Sequence, residues 1–407
     1  MSRRVNPLWY LAYFPSGVAF GILSVLVPFY LIEELGGSLL DLGVMTSVAT
    51  IILIPASIYL GRLPDRYGRS KPFILASYLI AGIVLLLMSR TRNVLSFQAL
   101  YISLNLANYL AGPSTSILIA ESYERSVWGR AMARQKFMEG LSQALGLGIC
   151  TFTAGSLGYR TLLSTTPPLV LASFLIALLA IRDPPIHVER FLARIESPVE
   201  DLESLSFHIT SGGGVTRPRY GSLHWGEEPR MELFGIGTTL FTLAASNAFT
   251  SLPIYLKDKA MFPSAVVFGI FFVRSLVSTF SYLLIGPLVK EGGGGAVKAG
   301  TTARVVLVAL LLMIPALSRP FSILLALVLL STVAFSWSLY SLGTEVIRVQ
   351  NAGSGGLGVY DALENVGSSA GGFIGGAVPA LIGFEPVFMV SSLLFIFALI
   401  SFFASRV

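Results

Sequence analysis

Asp361 and Glu364 stand one helical turn apart in YDALENVGSSAGG, residues 360–372, with Asn365 beside them. Two carboxylates so placed in an apolar surrounding resist being charged together, which suits one of them to gain and release a proton or to hold a cation. If Asp361 lies at a solvated helix end, Glu364 carries that role alone. Glu139 opens EGLSQALGLGIC, with Gln143 one turn further along the same face. Arg274 interrupts FGIFFVRSLVSTF, residues 268–280. An ionised side chain near the centre of a bilayer costs at least about 2.5 kcal/mol, so each of these needs a physical reason to be there.

The elements that carry them are membrane spans. Of 407 residues, 54% are hydrophobic and only 12% charged, with a mean hydropathy of +0.75, outside the range of a soluble globular domain. Apolar stretches fall near 8–32, 39–61, 71–89, 94–120, 131–157, 161–181, 232–256, 265–289, 297–317, 320–343, 356–382 and 385–404. Their length fits helices crossing a hydrocarbon core of roughly 30 Å, and membrane strands would be shorter and would alternate in polarity. The expectation is an all-α protein of twelve transmembrane helices. On the same rise per residue, Glu139 lies about 13 Å beyond Arg130, near the midplane and buried. Arg274 is the one clear cation inside a span. Cys150 has no second cysteine to pair with and reads as a small packing residue.

Residues 183–230 are rich in Pro, Gly and mixed charge and divide the chain into a six-helix bundle at 1–182, a linker, and a second bundle at 231–407. Within the linker IHVERFLARI suits an amphipathic surface helix and SGGGVTRPRYGS a flexible tether. The net charge of +6 is better explained by membrane orientation than by nucleic acid. Placing the N terminus inside puts fifteen Lys and Arg, Arg304 and Arg348 among them, at inner loops or helix ends against six outside. Both termini are then cytoplasmic. The apolar run after MSRRVNPL is too long for a cleaved leader and reads as a retained first span.

An offset of 225 residues aligns the halves with each other: Pro28 with Pro253, Gly61 with Gly286, Leu63 with Leu288, Glu139 with Glu364, Gly146 with Gly371 and Gly158 with Gly383. Parallel repeats of six helices put the symmetry axis along the membrane normal and the binding site between the halves.

Between the second and third spans runs GRLPDRYGRSKPF, residues 61–73. This resembles the loop between helices 2 and 3 of the major facilitator superfamily, with the pattern G-x-L-a-D-r-x-G-r-k. Gly61, Leu63, Asp65, Arg66, Gly68 and Arg69 supply the match, and Lys71 follows. With the twelve spans, the central linker and the half-repeat, the resemblance covers nearly the whole chain. It implies a cytoplasmic gate at Gly61, Asp65, Arg66, Gly68 and Arg69. Glu121, Arg125 and Arg130, near the mouth between helices 4 and 5, join them.

The resemblance further implies that helices 5 and 8 meet between the halves, where Glu139 and Arg274 would pair. Helices 4, 7 and 10 would line the cavity, which marks Asn105, Asn108, Tyr109, Asn247, Trp337 and Tyr340 as substrate-lining candidates. Each such amide or hydroxyl also serves to stitch helices together. The sequence departs from named subgroups: helix 5 lacks the Gly-Pro signature of drug–proton antiporters, helix 4 carries no Arg, and the sugar-transporter signatures near helices 6 and 12 are absent.

His187, His208 and His224 all lie in the linker without compact metal spacing, and no phosphate-binding loop is present. These readings converge on secondary active transport of a small solute across the cell membrane by alternating access. The transporter would be a monomer in the lipid bilayer, coupled to protons through Glu139 and Glu364, with no cofactor, metal or nucleic acid and no enzymatic step. A drug or metabolite exporter fits, and the intramembrane acids favour a cationic, neutral or amphipathic cargo while Arg274 leaves anions open. A facilitative uniporter and a non-transporting sensor using the linker are the alternatives.

Overall fold

A computed structural model describes residues 7–60, 69–112, 114, 115, 118, 128–154, 156–181, 230–285, 293–351 and 356–406. The helices are α1 (Trp9–Glu34), α2 (Leu39–Leu60), α3 (Lys71–Arg90), α4 (Val94–Tyr109), α5 (Trp128–Thr153), α6 (Tyr159–Ala180), α7 (Met231–Asp258), α8 (Ser264–Ile285), α9 (Gly294–Ala316), α10 (Arg319–Asn351), α11 (Gly356–Ile382) and α12 (Glu385–Ala404). Nine of these, among the described residues, are long and apolar enough to cross a membrane. In lipid the backbone must satisfy its own hydrogen bonds, which a helix does internally. α4, as described to Tyr109, is short, and polar and glycine residues along α5 and α11 lower their hydropathy.

Local chemistry sets the ends and the breaks. Ahead of α2 the Ser38 backbone N–H donates to Asp41 Oδ2 at 2.8 Å and the Asp41 N–H donates to Ser38 Oγ at 3.1 Å, a reciprocal capping box. Asn93 caps α4 by accepting from the Leu95 N–H at 2.8 Å. The turn between α11 and α12 passes through Gly383 at φ +98°, backbone that favours glycine. The repeat-related prolines both mark irregular backbone: α1 passes Pro28 into a π-helical turn at Tyr30–Glu34, and α7 breaks at Ser251 just before Pro253.

The first six helices pack on one another, as do the last six, and the 225-residue offset reappears in their contacts. A Cβ on Gly146 of α5 would lie 2.1 Å from the Val18 carbonyl of α1, and a Cβ on Gly371 of α11 would lie 2.2 Å from the Leu243 carbonyl of α7. Both partners in this contact obey the repeat. Gly17 against Ser142 is mirrored by Thr242 against Gly367, so the same close approach is kept while the glycine changes helix.

Two helix pairs make most of the contact between the bundles, α2 with α11 and α5 with α8. The first uses Gly43 against Gly376 and a hydrogen bond between the hydroxyls of Ser47 and Ser369 at 3.0 Å. The second sets Gly140 against Thr279, Gly148 against Phe272 and Gly269 against Thr151. The described ends at Pro7, Ile181, Arg230 and Arg406 fall on one side of the bundle, here the terminal side, where the Arg230 N–H donates to the Ser405 carbonyl at 2.9 Å; the turns after α1 and α7 mark the far side.

Candidate functional site

Between the bundles lies a cavity of about 380 Å³. Leu23 and Val27 of α1, Thr46 of α2, Tyr101 of α4 and Gln143 of α5 face Phe249 of α7, Phe271 and Arg274 of α8 and Trp337 of α10. Gln143, Arg274 and Trp337 were expected there. An apolar wall with a few convergent polar groups is the usual make-up of a small-molecule site.

Arg274 has no ion-pair partner among the described residues, and its Nε finds no acceptor among them. Its guanidinium lies 5.6 Å from the Phe249 ring centre and 5.5 Å from that of Phe271, within range of attraction by the ring faces. The expected pair with Glu139 does not form. The antiparallel register of α5 and α8 sets Thr279 opposite Gly140, so Arg274 is level with Gly146, about 10 Å along the axis from Glu139. Glu139 instead accepts from Lys136 Nζ at 3.3 Å and from Gln135 at 3.5 Å. With its side chain 36% exposed, Glu139 is not the buried group its depth implied.

Glu364 and Asp361 share a cation. Arg348 pairs with Glu364 and also reaches Asp361 Oδ1 at 3.3 Å. Tyr340 donates its hydroxyl to Glu364 Oε1 at 3.4 Å. Asn365 follows, half-buried. Arg348 was assigned to an inner loop or helix end because the apolar run of the tenth span stops at 343. The helix continues to Asn351 and carries the guanidinium back over α11. The Asp361 side chain is 54% exposed, so Glu364 is the enclosed member of the two.

Arg304 is the residue that sequence reading misplaced most. Assigned to the membrane edge, it lies ten residues into α9 and is 1% exposed. Its Nε donates to Ser336 Oγ at 3.2 Å and Nη2 to the Val333 carbonyl at 3.4 Å, while Nη1 has no acceptor among the described residues. Around it stand Phe241 at 5.0 Å, Trp337 at 5.1 Å, Phe249 at 5.5 Å and Phe395 at 5.7 Å. Counted from Gly294 at the rise of an α-helix, Arg304 lies about 15 Å into its span, a depth like that reckoned for Glu139.

The remaining candidates divide. Asn247 is fully buried and donates to the Val387 carbonyl at 3.1 Å and Ser391 Oγ at 2.8 Å, so it ties α7 to α12 behind the cavity wall and does not line it. Tyr340 stacks on Phe241 with ring centres 3.4 Å apart, also behind the wall. Asn105 donates to the Tyr101 carbonyl of its own helix at 2.9 Å, Asn108 is exposed and Tyr109 half-buried. Of the expected gate, Arg69 is exposed just before α3 and Arg130 falls in the first turn of α5. Gly61, Asp65, Arg66, Gly68, Glu121 and Arg125 lie outside the described residues.

A cluster on the far side joins the bundles. Lys257 at the end of α7 pairs with Glu33 at the end of α1 and donates to the Tyr159 hydroxyl at 2.9 Å, and that hydroxyl bonds Ser264 Oγ at 2.7 Å. Lys257 also lies 5.1 Å from the Phe29 ring centre. Among the described residues, the hydrogen bonds and ion pairs that cross between bundles are these and the Ser47–Ser369 contact. All lie toward the far side.

Apolar helices in two bundles around a mainly apolar cavity with a few convergent polar groups, and charged side chains held in the membrane-spanning segments, define a membrane transporter. The sequence profile of the Major Facilitator Superfamily matches residues 9–356, and the chain belongs to that family. The multidrug resistance protein MdtG of Citrobacter koseri is 28% identical over 400 residues, spanning 96% of this chain and 91% of that protein. MdtG of Escherichia coli O9:H4 shows the same identity and coverage. The structure of the nucleoside transporter NupG superposes with a TM-score of 0.72 over 99% of both chains at 15% identity. The protein is a multi-pass membrane transporter and not an enzyme.

Proposed function

We propose that this protein is a secondary active transporter that exports drug-like or metabolite solutes by alternating access, driven by protons, as a monomer with both termini in the cytoplasm. The observation that carries the reading is the placement of Glu364. Its carboxylate sits in a spanning helix, held by Arg348 and the Tyr340 hydroxyl. A carboxylate so held can exchange its cation for a proton, and loss of the ion pair frees α10 from α11 at the terminal side.

The far-side cluster of Glu33, Lys257, Tyr159 and Ser264 supports one closed end of the path. In this reading Gln143, Arg274 and Trp337 meet the cargo, Glu364 with Arg348 couples it to protons, and Glu139 is the second carboxylate on the route. The division at 1–182 and 231–407 separates the moving bundles. The loop from Gly61 to Arg69, with Glu121, Arg125 and Arg130, is the gate on the terminal side. The names of the relatives, multidrug resistance proteins, support export of foreign solutes.

The test is internal pH in dye-loaded vesicles holding the purified protein, challenged with drugs, sugars, amino acids and organic acids. A solute-dependent pH change that disappears in Glu364→Gln is expected. Flux without any pH change would overturn the coupling while leaving a uniporter.

A further inference from the structure

Among the described residues the cavity wall holds one charged side chain, Arg274, and no carboxylate. A second cation stands directly behind that wall. The Phe249 ring, which lines the cavity, lies 5.6 Å from the Arg274 guanidinium and 5.5 Å from that of Arg304. Trp337, also in the wall, lies 5.1 Å from Arg304.

Neither arginine forms an ion pair among the described residues, and each keeps at least one guanidinium nitrogen without an acceptor there. The carboxylates that could neutralise them are engaged elsewhere, Glu364 by Arg348 and Glu139 by Lys136. Two like charges facing one aromatic ring in an apolar setting repel each other and lack the counter-charge that buried ions require. Ring faces offset only part of this. The open space beside Arg274 is where a counter-charge can enter.

We propose that the cargo is an amphipathic organic anion, an apolar or aromatic body bearing a carboxylate, sulfonate, phosphonate or phosphate that meets Arg274 at the cavity wall. Arg304 adds its field from behind Phe249 and Trp337. The Gln143 amide and the hydroxyls of Ser275 and Ser278 supply further donors to the anion, while Leu23 and Val27 face its body. The placement of charge turns the preference for a cationic, neutral or amphipathic cargo, drawn from the intramembrane acids, toward an amphipathic anion, because those acids stand outside the cavity wall. The inference rests on the reading of this cavity as the transport site.

The experiment is equilibrium binding read by Trp337 fluorescence in a protein whose Trp9, Trp128 and Trp225 are replaced by Phe. The probes are 2-naphthoate, 2-naphthalenesulfonate and 2-naphthylphosphonate, each beside neutral 2-naphthamide and cationic 2-naphthylmethylammonium. At least one anion is expected to bind about tenfold or more tightly than the amide, the scale of a hydrogen bond to a charged group. Arg274→Gln should bring anion binding down to the level of the amide with the size-exclusion profile unchanged, and Arg274→Lys should retain part of the preference. The proposal is overturned if no anion binds better than the amide and the ammonium, or if the preference survives in Arg274→Gln. Vesicle flux separates the two readings: cations or neutral solutes moved without anion preference would sink this inference alone, whereas anion preference without flux of any probe would sink the transport reading.

Discussion

Gly43 and Gly376 meet backbone to backbone where α2 crosses α11. A Cβ on Gly376 would lie 2.4 Å from the Gly43 Cα, and one on Gly43 would lie 2.8 Å from the Gly376 Cα. No side chain there can turn aside to make room.

Gly376→Ala therefore pushes the bundles apart and disfavours this conformation by about 1–3 kcal/mol, the usual cost of overpacking. Labelling of Ser47→Cys, in a Cys150→Ser background, by a membrane-impermeant maleimide should speed up. An unchanged labelling rate would show that the crossing absorbs the methyl group without opening.

Glu33 and Lys257 make the one described ion pair between the bundles. Both side chains are partly exposed, so the pair is worth about 0.2–1 kcal/mol and its loss will hardly move the melting temperature. Its effect belongs to the conformational balance. Lys257→Glu should raise far-side labelling a few-fold, and the double exchange Glu33→Lys with Lys257→Glu should bring it back. Failure of the exchange to restore labelling would assign the closure to the aromatic and hydroxyl contacts.

Arg348→Gln leaves Glu364 without its cation, at a cost of about 1–3 kcal/mol for a partly solvated pair. Adding Glu364→Gln removes the stranded charge. Thermal unfolding in detergent should find the double variant more stable than Arg348→Gln alone. Additive losses would mean that the two side chains contribute independently.

Arg304→Met removes an unpaired buried charge and replaces it with an apolar chain of similar length. Stability should hold or rise by about 1 kcal/mol, while transport falls at least about tenfold. A melting temperature that drops by many degrees would instead make the Ser336 and Val333 bonds the reason for the arginine.

The architecture was legible because its signals are local. Apolar length marks a span, and a repeat offset needs only the sequence to be laid against itself. Arg304 was misread where hydropathy and helix part company, because α9 begins before its apolar stretch; Arg348 does fall in the last turn of a helix, but α10 runs eight residues past its own apolar stretch and so brings the guanidinium to Glu364. The Glu33–Lys257 pair joins residues 224 positions apart, and nothing in either neighbourhood announces the other. Depth alone suggested that Glu139 meets Arg274, but pairing needs helix register, and glycine contacts such as Gly140 with Thr279 fix that register only in three dimensions. Asn247 reads alike as cargo ligand or helix tie until the position of α12 is known.

The matched contacts Gly146 with Val18 and Gly371 with Leu243 also carry a consequence for synthesis. In each bundle the opening helix must wait 128 residues (146 − 18 and 371 − 243) for the glycine that seats against it. At about 5–20 residues per second, that is roughly 6–26 seconds in which α1, then α7, stands in the membrane with an unfilled groove. The nascent chain thus meets the same delay twice, and the first bundle has the glycine that closes it before the second has begun to emerge.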